Sequence, residues 1–299
     1  MVDYSIKPNK LISFKKINVD SFLIDTELNS DSQTVESFGD EWEKFNIFSD
    51  DEINNAGKQY FDIVKQDILT KDTIVLDAGC GSGRWSRFIA HKVKFVEAID
   101  PSKSIFYAKN NNFDIKNIRF SHAGIENIPF KNESFDFIFS LGVLHHIPKT
   151  EEALVKLFKK LKKGGSILLY LYYSFDNRSS FYNFLFKPIN FLRYLISKLP
   201  KMMKFLVCDL IAVFVYVPLK FISKLFKFFL RNNFYKKIPL YYYHDKSFNI
   251  IRNDSLDRFG TPLEKRFSKL EIKEMLIKVG AKEIVFSDSE PYWHVICKK

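Results

Sequence analysis

Only three cysteines occur in 299 residues, Cys80, Cys208 and Cys297, far apart and with no C-x-x-C pair. That scarcity argues against a disulfide framework and a Cys-rich zinc site, and it suits a reducing cytoplasm. No internal repeat is present. The stretch Met1 to Lys10 is polar and mixed in charge, lacking the apolar core of a cleaved secretory signal. Anions are missing from one segment: between Lys187 and Lys237 eleven Lys and Arg meet a single acid, Asp209, which leaves +1 of the net +11 for the rest. A basic partner surface is therefore expected in that segment and nowhere else. What is abundant is apolar and aromatic, at 46% and 16%. Such a chain can bury a full core, which excludes global disorder and collagen-like or low-complexity classes.

From Asp72 onward short apolar runs alternate with helical ones. Strands are expected at Thr73 to Asp77, Lys94 to Ile99, Asn117 to Ser121, Phe135 to Ser140 and Ser166 to Leu171. Helices are expected between them at Arg84 to His91, Ser102 to Asn112 and, behind Thr150 as N-cap, Glu151 to Leu161. This alternation implies right-handed crossovers and an α/β, Rossmann-like, mostly parallel sheet covered on both faces. Ahead of it, residues 1 to 50 read as a partly irregular segment with an aromatic island at Ser37 to Trp42, and Asp51 to Leu69 as a helix. The sheet pattern stops at Tyr172 and resumes at Leu263. There Ser268 and Glu271 form a capping box for a last helix, and Lys282 to Ser287 and Tyr292 to Cys297 make an antiparallel pair. Residues 172–262 are thus a helical, basic and aromatic insertion in a domain made of 51–171 and 263–299.

The most informative stretch runs Val75-Leu76-Asp77-Ala78-Gly79-Cys80-Gly81-Ser82-Gly83-Arg84-Trp85. A strand enters a loop with glycine at every second position and leaves as a helix, so the backbone can approach a ligand closely. A dinucleotide would fit such a loop, but the spacing G-x-G-x-x-G puts Arg84 where its third glycine belongs. Acidic Asp77 also suits a ligand with a cationic end better than a pyrophosphate. Asp100, 21 residues after Gly79, ends the second strand at the crevice where open sheets bind ligands, and a carboxylate there can accept both ribose hydroxyls.

These residues, with Asn127-Ile128-Pro129-Phe130 and the run Phe135 to Ile147, resemble the class I S-adenosylmethionine-dependent methyltransferases, in the type 11 group that includes ubiquinone and menaquinone methyltransferases. The resemblance implies S-adenosyl-L-methionine as cofactor and no metal. By it Asp77, Ala78 and the loop residues Gly79, Cys80, Gly81 and Gly83 hold the methionine part, and Asp100, followed by Pro101, holds the ribose. Ser140 and Leu141 end the fourth strand beside the transferable methyl. Where many members carry an aspartate for the adenine amino group this chain has Gly124, so adenine is left to the backbone near Gly124 and Ile125 and to apolar packing.

Methyl transfer is an in-line displacement needing alignment and a dry site, with a base only if the acceptor must lose a proton. His145 and His146, just after the fourth strand, are the candidate bases, unless the pair only supports its loop. The acceptor expected is a small molecule, a saccharide or a lipid-linked compound, with O-methylation foremost. C-methylation of a quinone-like lipid, methylation of nucleic acid, and a cofactor-sensing or scaffold protein are the alternatives. Asp257 to Pro262 and Phe38 to Trp42 resemble methyltransferases encoded with bacterial surface-polysaccharide enzymes.

In the insertion, Lys220, Lys224, Lys227 and Arg231 form a narrow basic stripe on an otherwise apolar helix, a pattern that suits an anionic membrane surface through residues 180–237. The run Phe205 to Leu219 is 15 residues long, contains Asp209 and ends near Pro218, so a full span is not expected. A lid over the acceptor site and nucleic-acid contact are the competing uses of this block.

Overall fold

The structure, a computed structural model, describes residues 1–23, 30–45, 48–176, 180–229 and 238–299, the side chains of 180–185 excepted. The chain forms two compact units, Met1–Asn177 with Leu263–Lys299, and Arg178–Pro262.

The first unit opens with a hairpin, β1 (Lys10–Phe14) and β2 (Ile17–Ser21), and two helices, α1 (Ser32–Lys44) and α2 (Asp50–Tyr60). The alternating series follows: β3 (Ile74–Ala78), α3 (Arg84–Ala90), β4 (Phe95–Asp100), α4 (Ser104–Asn111), β5 (Ile118–His122), β6 (Phe135–Leu141), α5 (Thr150–Lys160) and β7 (Leu161–Tyr170). In the second unit lie α6 (Ser180–Ser197), α7 (Lys201–Ile211), a π turn at Ala212–Tyr216, α8 (Val217–Phe229) and α9 (Phe248–Gly260). The first unit ends with α10 (Lys269–Lys278), β8 (Lys282–Phe286) and β9 (His294–Lys298).

One nine-stranded sheet has the order β1-β2-β5-β4-β3-β6-β7-β9-β8. Pairings from β2 to β7 are parallel, and β1, β8 and β9 run antiparallel to their neighbours. Side chains alternate across it. Leu76, Ala78, Ile138 and Ile167 pack under Leu157, Phe158, Ile272 and Leu276 of α5 and α10. Val75, Val96, Phe137 and Phe139 face Ile53, Phe61, Trp85 and Phe88 on and beside α2 and α3. Both faces are covered, as the expected crossovers require.

The N-terminal segment is more regular than its sequence suggests. The hairpin turns on Lys15 and Lys16, both at positive φ (48° and 68°), so it lacks the Asn-Gly or Asp-Gly signal that advertises such a turn. Helix α2 stops at Tyr60, short of the expected Leu69, because Asp62 is turned away to accept from Ser287 Oγ and pair with His294 Nε2, both at 2.7 Å. Thr150 is a helical residue rather than a cap: its hydroxyl donates to the carbonyls of Leu144 and Ile147. Ser268 and Glu271 do form their capping box, as do Ser49 and Glu52.

The chain leaves the first unit after Asp176 and returns beside that point. Tyr173 and Phe267 form a parallel bridge, Phe267 N–H donates to Tyr172 O (2.8 Å), and Ser174 N–H donates to Phe267 O (3.0 Å). Asp176 accepts from Lys269 N–H and from Trp293 Nε1, both at 2.9 Å.

In the second unit the apolar run continues through Pro218 instead of ending there, giving one helix from Lys201 to Phe229. A proline removes one hydrogen bond and its ring crowds the carbonyl four residues earlier. That residue, Phe214, lies in the π turn, where the widened backbone has room for it. Leu230, Arg231, Lys236 and Lys237 of the basic segment lie outside the described residues.

Candidate functional site

The parallel strands all end on one side of the sheet, where a cavity opens between the loops after β3, β4, β5 and β6 and helix α1. Its floor is the glycine loop. Gly79 and Gly81 sit at φ +86° and +53°, and a Cβ on Gly79 would lie 2.5 Å from Val143, while one on Gly81 would lie 2.9 Å from the Trp42 indole nitrogen. Only glycine supplies both the conformation and the space.

Of the residues expected from sequence, Gly79, Cys80, Gly81, Asp100 and Pro101 line this cavity, together with Gly124, Ile125, Leu141 and His146. Five do not. Asp77 lies behind the loop, accepting from Ser86 Oγ at 2.6 Å, and Ala78 is fully buried. Gly83 lies at the loop's far end against Asn112 and Phe120. Ser140 turns inward and donates to Ala78 O at 2.8 Å, because a hydroxyl in the middle of a sheet must find an acceptor. His145 is fully buried against Tyr172, with ring centroids 3.9 Å apart.

Asp100 organises the loop. Its carboxylate accepts from Gly81 N–H (3.0 Å), Ser102 N–H (2.8 Å) and Ser102 Oγ (2.7 Å), and it closes one wall of the cavity. Burial pushes the Asp77 carboxyl up to about 8, with the nearby Asp100 charge acting the same way against the Ser86 hydrogen bond. Cys80 is a buried thiol held well above its ordinary range by burial and by the same two carboxylates. Asp77 and Cys80 therefore hold their protons at neutral pH.

The two histidines differ in environment. Burial holds His145 well below the usual imidazole range, helped by His146 and Arg266, and among the described residues neither ring nitrogen has a hydrogen-bond partner. His146 lines the cavity. Its Nδ1–H donates to Leu263 O at 2.6 Å and its ring meets Phe38 edge-on at 4.8 Å. A proton on Nδ1 fixes the tautomer in which Nε2 is the acceptor.

Sequence reasoning missed the contributions of α1 and Arg84. Asp31, Thr34, Phe38 and Trp42 line the cavity from the N-terminal helix, capped by Asp31, whose side chain accepts from Thr34 N–H at 2.7 Å. The aromatic island at Ser37 to Trp42 was the visible signal. Arg84 lines the cavity with its guanidinium over the rings of Trp42, Phe48 and Trp85 at 5.2, 4.9 and 4.6 Å. No carboxylate pairs with it among the described residues.

A doubly wound sheet with a glycine loop and an acidic residue at the ends of adjacent strands defines a binding domain for a nucleoside-bearing ligand. Residues 76–169 match the family model described as "Methyltransferase domain", and the chain carries a class I S-adenosylmethionine-dependent methyltransferase domain of the type 11 family. The family implies S-adenosyl-L-methionine as methyl donor.

Among curated relatives, a tRNA U34 carboxymethyltransferase of Nautilia profundicola is 35% identical over 112 residues, 36% of this chain and 37% of that protein. An uncharacterised methyltransferase of Mycobacterium tuberculosis is 30% identical over 113 residues, 38% of this chain and 57% of that one. This chain spans well under two thirds of the length of the curated relatives it matches. Among solved structures, a SAM-dependent methyltransferase of Aquifex aeolicus matches over 84% of this chain and 97% of its own, at 14% identity and a TM-score of 0.42.

Proposed function

We propose that this protein transfers a methyl group from S-adenosyl-L-methionine to a hydroxyl of a small-molecule, saccharide or lipid-linked acceptor. The observation that supports the reading is that the glycine loop, the Asp100 carboxylate and His146, whose Nδ1–H is held by Leu263 O, line one cavity. Bound there, the donor supplies an electrophilic methyl on a sulfonium.

The chain's own residues would bind and orient it. Asp100 accepts from the ribose hydroxyls, and Pro101, Gly124 and Ile125 border the adenine. The loop at Gly79 to Gly83 comes close to the amino-acid end with Asp77 behind it, and Arg84 offers the counter-charge for a carboxylate. Trp42 and Phe38 wall the cavity from water. His146 Nε2 accepts the proton of the acceptor hydroxyl, and Leu263 O keeps the ring in the tautomer this requires. His145 acts from behind, filling the space between His146 and Tyr172. The three cysteines are free and buried, in keeping with a reducing, cytoplasmic site of action.

A second reading, an RNA acceptor, draws its support from the printed names of the tRNA-acting relatives. The experiment that tests both supplies methyl-tritiated donor to the purified chain with a lipid extract, a saccharide extract and total tRNA. Label in the lipid or saccharide fraction supports the proposal. Label in tRNA alone overturns its acceptor class, and failure to bind the donor overturns the whole.

A further inference from the structure

The second unit holds a large unpartnered apolar surface. Its helix from Lys201 to Phe229 has 29 residues, about 43 Å at 1.5 Å per residue, and its two sides differ in kind. On one side Cys208, Ala212, Tyr216 and Ser223 are buried, Ala212 and Tyr216 within a cluster that includes Tyr243 and Ile251. That side is bound to polar and charged groups of the same unit. Arg252 grips Asp209 with two hydrogen bonds of 2.9 and 2.8 Å, Ser255 Oγ donates to Cys208 O, and Lys220 Nζ donates to Lys246 O.

The other side carries Leu206, Leu210, Phe214, Phe221, Leu225 and Phe228, all exposed, Phe214 at 73% and Phe228 at 81%. Exposed Phe191, Leu192 and Leu195 of α6 enlarge the apolar surface. Few proteins that stay in water expose so much contiguous apolar surface.

We propose that the unit Arg178–Pro262 is an in-plane docking module for an anionic lipid bilayer, lying on the surface with this stripe in the acyl boundary. The occupant follows from charge. The unit contains fifteen Lys and Arg against four Asp, a balance of +11 that equals the net charge of the entire chain. Lys201 and Lys224 are exposed on the helix that carries the stripe, and Lys198 is exposed in the turn just before it. A second copy of the chain would bring the same charge against itself. A nucleic acid would take the charge and leave the phenylalanines in water. A transmembrane orientation would carry the Asp209–Arg252 pair and, with α9, Asp254, Asp257 and Arg258 into hydrocarbon, where each charged group is unfavourable. Lying in the interface keeps the charged side wet. This inference concerns a surface apart from the donor cavity and stands whether or not the methyl-transfer reading holds.

The test uses the full chain without donor. Sedimentation with phosphatidylcholine vesicles, with and without phosphatidylglycerol, is measured at rising salt. Binding to the anionic vesicles is expected, with a residue that survives salt. The combined Lys198→Gln, Lys201→Gln and Lys224→Gln variant should bind about a hundredfold more weakly. The combined Leu206→Ser, Phe214→Ser, Phe221→Ser and Phe228→Ser variant should lose the salt-resistant part. Because the native cysteines are buried, an environment-sensitive dye on Phe214→Cys should shift to the blue on vesicles and be quenched by headgroup-level quenchers. No sedimentation at low salt, binding abolished by salt and competed away by RNA, or quenching confined to the bilayer centre would each overturn the proposal. Donor affinity measured on the same preparations separates a failed docking surface from a failed methyltransferase reading.

Discussion

The indole nitrogen of Trp42 lies where a Cβ on Gly81 would meet it at 2.9 Å, so a helix ahead of the sheet domain is fitted to the middle glycine of the loop. Gly81→Ala should weaken donor binding at least tenfold, since it combines a left-handed backbone cost of about 1–2 kcal/mol with displacement of Trp42. Trp42→Leu should lower donor affinity while leaving the unfolding midpoint nearly unchanged. Calorimetric titration of both variants with the demethylated donor product checks this, and wild-type affinity in both would remove α1 from the site.

Arg84 has aromatic neighbours and no acidic partner among the described residues, which makes its charge available to a ligand. Arg84→Gln should cost donor binding about 1.5–3 kcal/mol, the range for a hydrogen bond to a charged group. The specific sign is loss of discrimination: a decarboxylated analogue should bind wild type and variant alike. If the variant weakens both ligands equally, Arg84 acts through the aromatic packing instead.

For His146 the prediction separates chemistry from binding. His146→Ala should lower turnover about a hundredfold or more at unchanged donor affinity, and His146→Gln should not restore it, because an amide cannot take up the proton. His145→Phe, which keeps a ring against Tyr172, should retain most of the turnover. Comparable loss in both variants would assign the pair to loop support.

Two buried groups make stability depend on pH in opposite directions. The Asp77 carboxyl stands at about 8 in the folded chain against 3.8 for an ordinary aspartate. The folded state therefore keeps a proton that the unfolded chain has lost, and stability should fall as pH rises from about 4 to about 8. His145 is held well below 6.5, so the unfolded chain binds its proton first and stability should fall as pH drops below about 6.5. Urea midpoints across this range should show the alkaline decline reduced in Asp77→Asn and the acid decline reduced in His145→Phe. Curves parallel to wild type would contradict the burial argument.

Legibility in the sequence followed the strength of local signals. The strands β3 to β7 were visible because a buried parallel strand is a short apolar run, and the glycine loop because three glycines alternate between a strand and a helix. The hairpin at Lys15 and Lys16 was hidden, since those lysines adopt positive φ with no composition cue. The inward turn of Ser140 and the end of α2 at Tyr60 each depend on a distant partner, Ala78 O and the Ser287–His294 pair. Arg84 was visible only as a departure from a dinucleotide spacing, while its place among three rings from α1, α3 and the loop between α1 and α2 is a property of the fold. In sequence the apolar run is 15 residues long, carries Asp209 and ends near Pro218, too little to span, whereas the π turn carries the helix through.

The pairing of Tyr173 with Phe267, and of Asp176 with Lys269 and Trp293, has an evolutionary and engineering meaning. The strand end from which the second unit departs and the segment to which it returns are zipped together by the first unit's own hydrogen bonds. The ends of whatever is spliced between them are held together in advance, and the entropy of closing that loop grows only slowly with its length. The sheet domain thus presents a socket, and residues 178–262 are one cartridge that fits it. Exchanging the cartridge is expected to leave the cavity, whose lining residues all belong to the first unit, as it is.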